Sequence, residues 1–130
     1  MMMLLLKATF DSGSMACQMV PDVIRVEDGT DEREQYCKIL DCSHVDIKQE
    51  KIDGKEFCVL SDAYGHEAGK FPSYLCESEN CVCFGNVLFG RIGDKGKETS
   101  IQKGDIPVLT KHLYKNVQKL NVMQAVSERP

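Results

Sequence analysis

The sequence predicts an α+β domain, in which a mainly antiparallel sheet built from two hairpins carries helices near residues 31–41 and 105–120 on one face. Three observations lead to this class: two segments of helical periodicity, two pairs of strand-like segments joined by glycine-containing turns, and an ordinary composition. Hydrophobic residues make up 42% of the 130 residues and charged residues 28%, which is typical of folded domains. Since no linker-like stretch divides the chain, we expect one domain over 1–130.

The first part of the chain predicts strands followed by a helix. The apolar run within residues 3–10 fits a strand or a short helix, because its period is ambiguous. The stretch DVIRVED at 22–28 alternates imperfectly before Gly29, which favours a strand. The helix over 31–41 follows from acidic residues in its first turn and one apolar face, with Thr30 as the expected N-cap.

The middle of the chain predicts a hairpin and then a short helix. Segments 44–51 and 56–61 flank Asp53-Gly54, a strong hairpin signal because glycine permits positive φ and aspartate tolerates it. Pro72 and the serine after it predict the start of a helix that runs to about residue 78.

The last part predicts a second hairpin and the clearest helix. Strand 87–92 turns back at GDKGKE toward a partner at 98–101. In the helix over 105–120, Asp105 is the expected cap, a proline lies in the first turn, and apolar residues recur at steps of three and four. The pattern is lost after about residue 122, where we expect the chain to fray.

The polar stretch LSDAYGHEAGKFPSYL, residues 60–75, is the candidate binding site. It contains six candidate binding residues: Asp62, Tyr64, His66, Glu67, Lys70 and Phe71. The two aromatic residues are the expected anchors, because aromatic side chains tend to carry interface energy, and the charged residues and histidine would set specificity. A solvated turn without a function is the alternative interpretation, because turns require polar residues beside glycine.

The cysteines and histidines give weak signals for metal or thiol chemistry. Cys76, Cys81 and Cys83, together with His66, allow a zinc hypothesis, but their spacing matches no zinc knuckle and packing in the core is the simpler interpretation. We therefore predict no metal and no cofactor. His112 is expected on the exposed side of the last helix, and no P-loop or serine-elbow motif occurs.

Net charge and hydropathy limit the classes of partner. The formal charge of −4 provides no strongly basic face, so duplex nucleic acid is a poor candidate partner. The opening MMMLLLK lacks the features of a secretory signal, and no stretch approaches the roughly 18 apolar residues that span a bilayer. We expect a cytoplasmic protein without a membrane partner, whose seven cysteines are reduced.

Three segments occur in an order that carries a family resemblance: GKEFCVLSDAYGHEAGKFPSYL, then FGNVLFGRIGDKGKETSI, then an acid-capped helix from KGDI. Over residues 22–118 the chain resembles the domain of unknown function 3846 family, small proteins encoded by phages and mobile elements. Family members commonly have Asn-Glu-Gly in the polar turn and Pro-Asn-Arg after it, where this chain has DAYG and PSY. The resemblance implies a mobile-element accessory protein and brings no established activity or catalytic residues.

These observations predict a non-enzymatic accessory protein that binds and occludes a host macromolecule, such as a defence component. The loop at 62–74 and the turn at 93–98 would present the binding surface. The alternative is a protein that binds or sequesters a small ligand of nucleotide type, with backbone N–H groups near Gly65 and Gly69 contacting an anion. A hydrolase or thiol enzyme is the least favoured class.

Overall fold

The structure is a computed structural model that describes residues 1–11, 16–29 and 31–127, with side chains described for 1–8, 19–29 and 31–123. The elements of this part are β1 (Met2–Asp11), β2 (Ala16–Arg25), α1 (Glu32–Leu40), β3 (Val45–Ile52), β4 (Lys55–Asp62), β5 (Pro72–Cys76), β6 (Cys81–Phe84), β7 (Val87–Ile92), β8 (Glu98–Thr99) and α2 (Asp105–Ser127).

The main sheet is antiparallel and has the strand order β2-β1-β7-β4-β3, with β8 paired to the end of β7. Strands β5 and β6 form a separate antiparallel hairpin. Two helices pack on this arrangement, which confirms the predicted α+β class. The two predicted hairpins are also confirmed as β3–β4 and β7–β8, and the first turns at Asp53 and Gly54 with φ of 52° and 77°.

The apolar opening of the chain is a central strand. Strand β1 lies between β2 and β7, and its residues Met3 to Leu6 are all buried. A strand covered on both faces needs apolar side chains at consecutive positions, so it loses the alternation that marks a half-exposed strand. This burial explains why the sequence pattern left strand and helix both open.

The two helices lie on opposite faces of the main sheet. Along β4, Phe57 and Val59 belong to the core on the α2 side, whereas Cys58 and Leu60 belong to the core on the α1 side. The expectation that both helices cover one face is therefore wrong. The physical reason is the run of consecutive buried residues in β4 and β7, which requires cover on both faces of the sheet.

The predicted helix near 72–78 is also wrong, because residues Pro72–Cys76 form strand β5. Tyr74 and Cys76, two residues apart, are both buried in the core on the α2 side, as the period of a strand requires. The Ser73 hydroxyl donates to the Gly85 carbonyl at 2.5 Å. Packing against the sheet thus outweighs the preference of proline for a helix start.

Both helices differ from their predicted ends. The N-cap of α1 is Asp31, whose carboxylate accepts the Glu34 N–H at 3.3 Å, while Thr30, the expected cap, lies outside the described residues. Helix α2 continues to Ser127, beyond the predicted end at 120 and the expected fraying near 122. The Asp105 carboxylate accepts the N–H of Gln102, which precedes the helix, at 2.8 Å.

Candidate functional site

The polar loop, defined as residues 63–71, links β4 to β5 through a series of hydrogen-bonded turns. The Asp62 carboxylate at the end of β4 accepts the Tyr64 N–H at 2.9 Å. The Ala68 N–H donates to the Tyr64 carbonyl at 2.9 Å, and the Lys70 N–H donates to the Gly65 carbonyl at 3.0 Å. Local turns of this kind give the loop a defined backbone conformation.

The polar loop packs against strand β6. A Cβ atom at Gly65 would lie 2.8 Å from the Cβ of Phe84, so this close approach requires glycine. The His66 ring lies 5.1 Å from the Phe84 ring. The loop is therefore in contact with the folded body along one side.

Lys70 and Asp62 use their charges inside the fold. The Lys70 ammonium donates to the Asp62 carboxylate at 2.8 Å and to the carbonyls of Leu40 and Asp41 at 2.9 and 2.6 Å. These carbonyls lie at the C-terminal end of α1, where the helix dipole favours a cation. With side chains only 20% and 6% exposed, Lys70 and Asp62 support the loop and are not displayed to a partner.

The pKa of Asp62 follows from these contacts. Burial by itself raises the pKa of this carboxyl, but the hydrogen bonds from the Lys70 ammonium and the Tyr64 N–H, with the charge of Lys70, lower it below its ordinary value. The net direction is downward because both donors favour the ionised carboxylate. Asp62 is therefore ionised at neutral pH.

The other four candidate residues are displayed at the surface. Tyr64 and Phe71 are 54% and 49% exposed, and His66 and Glu67 are exposed as well. Tyr64 contacts the ring of His44 edge-on, with ring centroids 5.4 Å apart. A shallow cavity of about 240 Å³ lies beside Phe71, and it is lined by Ala8, Leu40, Asp41, Lys70, Phe71, Gly85 and Asn86.

The glycine N–H groups of the loop are occupied by its own turns. Gly65 donates to the Asp62 carbonyl at 3.2 Å and Gly69 donates to the His66 carbonyl at 3.1 Å. Both N–H groups were candidates for contacting an anion in the ligand-binding alternative. Since these two N–H groups already have acceptors, neither is available to contact an anion.

The turn at 93–98 lies at the opposite end of the sheet from the polar loop. Strands β4 and β7 are antiparallel, with Phe57 opposite Arg91 and Leu60 opposite Leu88. The end of β7, where the turn begins, is therefore beside the start of β4, whereas the polar loop follows the end of β4. The two segments of the expected binding surface are therefore separated by the length of these strands.

The cysteines of the zinc hypothesis lie mainly in the core. Cys76 and Cys83 are buried and Cys81 is half-buried. Within residues 1–11, 16–29 and 31–127, no group of three or more histidine, cysteine or acidic side chains is placed to hold a metal ion. Burial raises the pKa of Cys83 to about 11 and that of Cys58 to about 12, so these thiols are protonated and weakly nucleophilic at neutral pH.

A buried polar chain of Glu50, Tyr74 and His112 was missed at the sequence level. The Tyr74 hydroxyl donates to the Glu50 carboxylate and lies 2.8 Å from His112 Nε2. Glu50 is only 4% exposed, and it also accepts the Glu77 N–H at 2.9 Å. Burial lowers the pKa of His112, because a dry environment disfavours the charged imidazolium.

The position of His112 corrects the expectation that this side chain faces solvent, because it is half-buried. A usable signal was present in the sequence. His112 is three residues after Leu109 and next to Leu113, on the buried face of the helix, and Glu50 is two residues before Ile52, on the buried face of its strand. A charged residue at such a position needs a partner, which here is Tyr74.

None of the described helices is both long and apolar enough to cross a membrane.

Comparisons with known proteins add no identification. The resemblance to the domain of unknown function 3846 family stays a prediction that rests on the quoted segments. No protein-family model, no curated protein and no solved structure matches this chain.

Proposed function

We propose that the chain is a non-enzymatic accessory protein of a phage or mobile element, which binds a host macromolecule, such as a component of a defence system, and blocks its working surface. The family resemblance supports the biological setting. The observation that carries the binding proposal is the polar loop, which combines a hydrogen-bonded backbone with two exposed aromatic side chains, Tyr64 and Phe71.

The proposed recognition surface consists of Tyr64, His66, Glu67 and Phe71. Aromatic side chains bury much area with little loss of conformational entropy, so they are the expected anchors of an interface. Glu67 and His66, which are exposed between the two aromatics along the chain, would select a partner through charge and hydrogen bonding. Lys70 is excluded from this surface because its ammonium is engaged within the fold.

Occlusion of the partner's site would need binding alone and no chemical step. A loop whose turns are already formed loses little backbone freedom on binding, so more of the contact energy appears as affinity. It would insert its aromatic side chains into the partner and cover the partner's own site. We expect the partner to be a host protein or protein complex, since aromatic anchors with a polar rim are typical of protein interfaces.

A pull-down from a lysate of the host cell tests the proposal. We expect wild-type protein to retain a specific protein that Tyr64→Ala loses, because removal of a hot-spot residue costs about 2 kcal/mol or more of binding free energy. The control is Tyr114→Ala, which removes a tyrosine that is 69% exposed on α2. Both variants should keep their unfolding free energy within about 0.5 kcal/mol of wild type.

Two results would contradict the proposed function. One is capture of the same proteins by wild type and Tyr64→Ala, which would place any interface elsewhere. The other is retention by wild type of no protein that an unrelated bait lacks.

A further inference from the structure

A second concave site lies at the other end of the β3–β4 hairpin, and we name it the α2 cavity. It has a volume of about 460 Å³ and lies between the hairpin turn and helix α2; its lining residues are Ile52, Asp53, Pro107, Val108, Lys111, His112 and Lys115. This volume lies within the range of small-molecule sites. The polar loop contributes no residue to it.

Two lysines, against the single carboxylate of Asp53, give the lining of the α2 cavity a net positive charge. Lys111 and Lys115 are four residues apart, so they lie on the same side of α2, and among the described residues neither forms an ion pair. Like charges at this spacing repel each other. An anion placed between the two ammonium groups would remove this repulsion and would bind both.

His112, which lines the same cavity, is held in a fixed orientation by Tyr74. Its Nε2 is 2.8 Å from the Tyr74 hydroxyl, and that hydroxyl gives its hydrogen to the buried Glu50 carboxylate. Because tyrosine has a single hydroxyl hydrogen, Nε2–H of His112 must donate to the Tyr74 oxygen. The lone pair of the neutral ring is then on Nδ1, which makes no hydrogen bond within the described part of the chain, so it can accept one from a ligand.

The remaining lining residues narrow the chemical class of the ligand. Ile52 and Val108 supply apolar area, while the Asp53 carboxylate can accept a hydrogen bond from a hydroxyl group. A ligand that fits all of these groups has one anionic end and hydroxyl groups on a small body. We propose that the α2 cavity binds the phosphate monoester of a small hydroxylated molecule, with the phosphate between Lys111 and Lys115.

The test is an NMR titration of the ¹⁵N-labelled full chain with ribose 5-phosphate, with ribose as the matched ligand that lacks the phosphate. We expect ribose 5-phosphate, and not ribose, to shift the amide signals of Lys111 to Lys115 and the ring signals of His112. Lys111→Gln and Lys115→Gln should each weaken binding about tenfold, the effect of losing one charge-assisted hydrogen bond. Lys119→Gln is the control, because it makes the same charge change one turn further along α2, where the lysine pairs with Glu77.

Three outcomes would overturn the proposal. The first is the absence of shifts at millimolar ribose 5-phosphate. The second is equal shifts with ribose and with ribose 5-phosphate. The third is an equal loss of affinity in Lys119→Gln and Lys111→Gln, which would indicate attraction by overall charge. The polar loop contributes no residue to the α2 cavity. The outcome of the titration is therefore independent of the proposed host interaction.

Discussion

Lys70 joins three parts of the molecule through one ammonium group. Its three N–H donors match three acceptors: the carboxylate at the end of β4 and two carbonyls at the end of α1. Its side chain also crosses Gly85, where a Cβ would lie 2.7 Å from the lysine Cδ and where φ is +81°. A charged residue in a loop can therefore stabilise the fold when its hydrogen-bond acceptors come from distant parts of the chain.

Replacement of Lys70 by methionine should destabilise the protein. The change leaves the nearly buried Asp62 carboxylate without its ion partner and two helix carbonyls without a donor, so we expect a loss of about 2–3 kcal/mol of unfolding free energy. Urea denaturation measures this loss. Lys38→Met is the matched control, since Lys38 is exposed on α1 and its ion pair with Glu34 is long at 3.9 Å. Equal losses of unfolding free energy in both variants would contradict the role assigned to Lys70.

The lowered pKa of Asp62 predicts a pH dependence of stability. A carboxyl whose pKa is lower in the folded state adds stability above its unfolded pKa of about 3.9, and this is lost as the pH falls through the folded pKa. Wild type should therefore exceed Asp62→Asn in unfolding free energy by a constant amount from pH 7 to about pH 5. Below about pH 4 the difference should shrink. A difference that grows toward acid pH would contradict the downward direction.

At the scale of elements, a buried ionic group fixes the start of α2. The Asp105 side chain, which is 1% exposed, pairs with Arg91 of β7 at 3.1 Å and with Lys55 of β4 at 3.4 Å. The Arg91 guanidinium also lies over the Phe57 ring, 5.4 Å from its centroid. These contacts connect the helix to two neighbouring strands, so the position of the α2 cavity depends on them.

We expect Asp105→Asn to cost about 3 kcal/mol of unfolding free energy, because it leaves the positive charges of Arg91 and Lys55 without their carboxylate partner. Asp94→Asn provides the control, since Asp94 is exposed in the turn after β7. Thermal and urea unfolding of both variants give the comparison. A cost in Asp105→Asn as small as that in the control would show that the ionic group does not hold the helix.

Elements that depend on local patterns could be predicted from the sequence, and those that depend on distant contacts could not. Asp53-Gly54 located the first hairpin, and periodicity located both helices. Strand β5 was missed because the packing of Tyr74 against the sheet stabilises it. The local signal, Pro72, favours the start of a helix instead. The partners of Lys70 were out of reach because its carbonyl acceptors are about thirty residues earlier in the chain.

At the scale of the whole molecule, the fold separates two candidate sites. The polar loop and the end of α1 lie at one end of strand β4, and the α2 cavity lies at the other end beside the β3–β4 turn. Both faces of the sheet between them are covered, one by α1 and the other by α2 with the β5–β6 hairpin. The proposed host contact and the proposed phosphate ligand can therefore be removed by separate substitutions.

The central claim is that the polar loop holds one conformation while its aromatic side chains stay exposed, and amide hydrogen exchange tests it most directly. The N–H groups of Ala68, Gly69 and Lys70 each donate to a loop carbonyl, so they should exchange at least about tenfold more slowly than in an unstructured chain. Lys70→Met should remove this protection and Lys38→Met should keep it. Exchange of these amides at unstructured rates in wild type, or equal protection in both variants, would contradict the account.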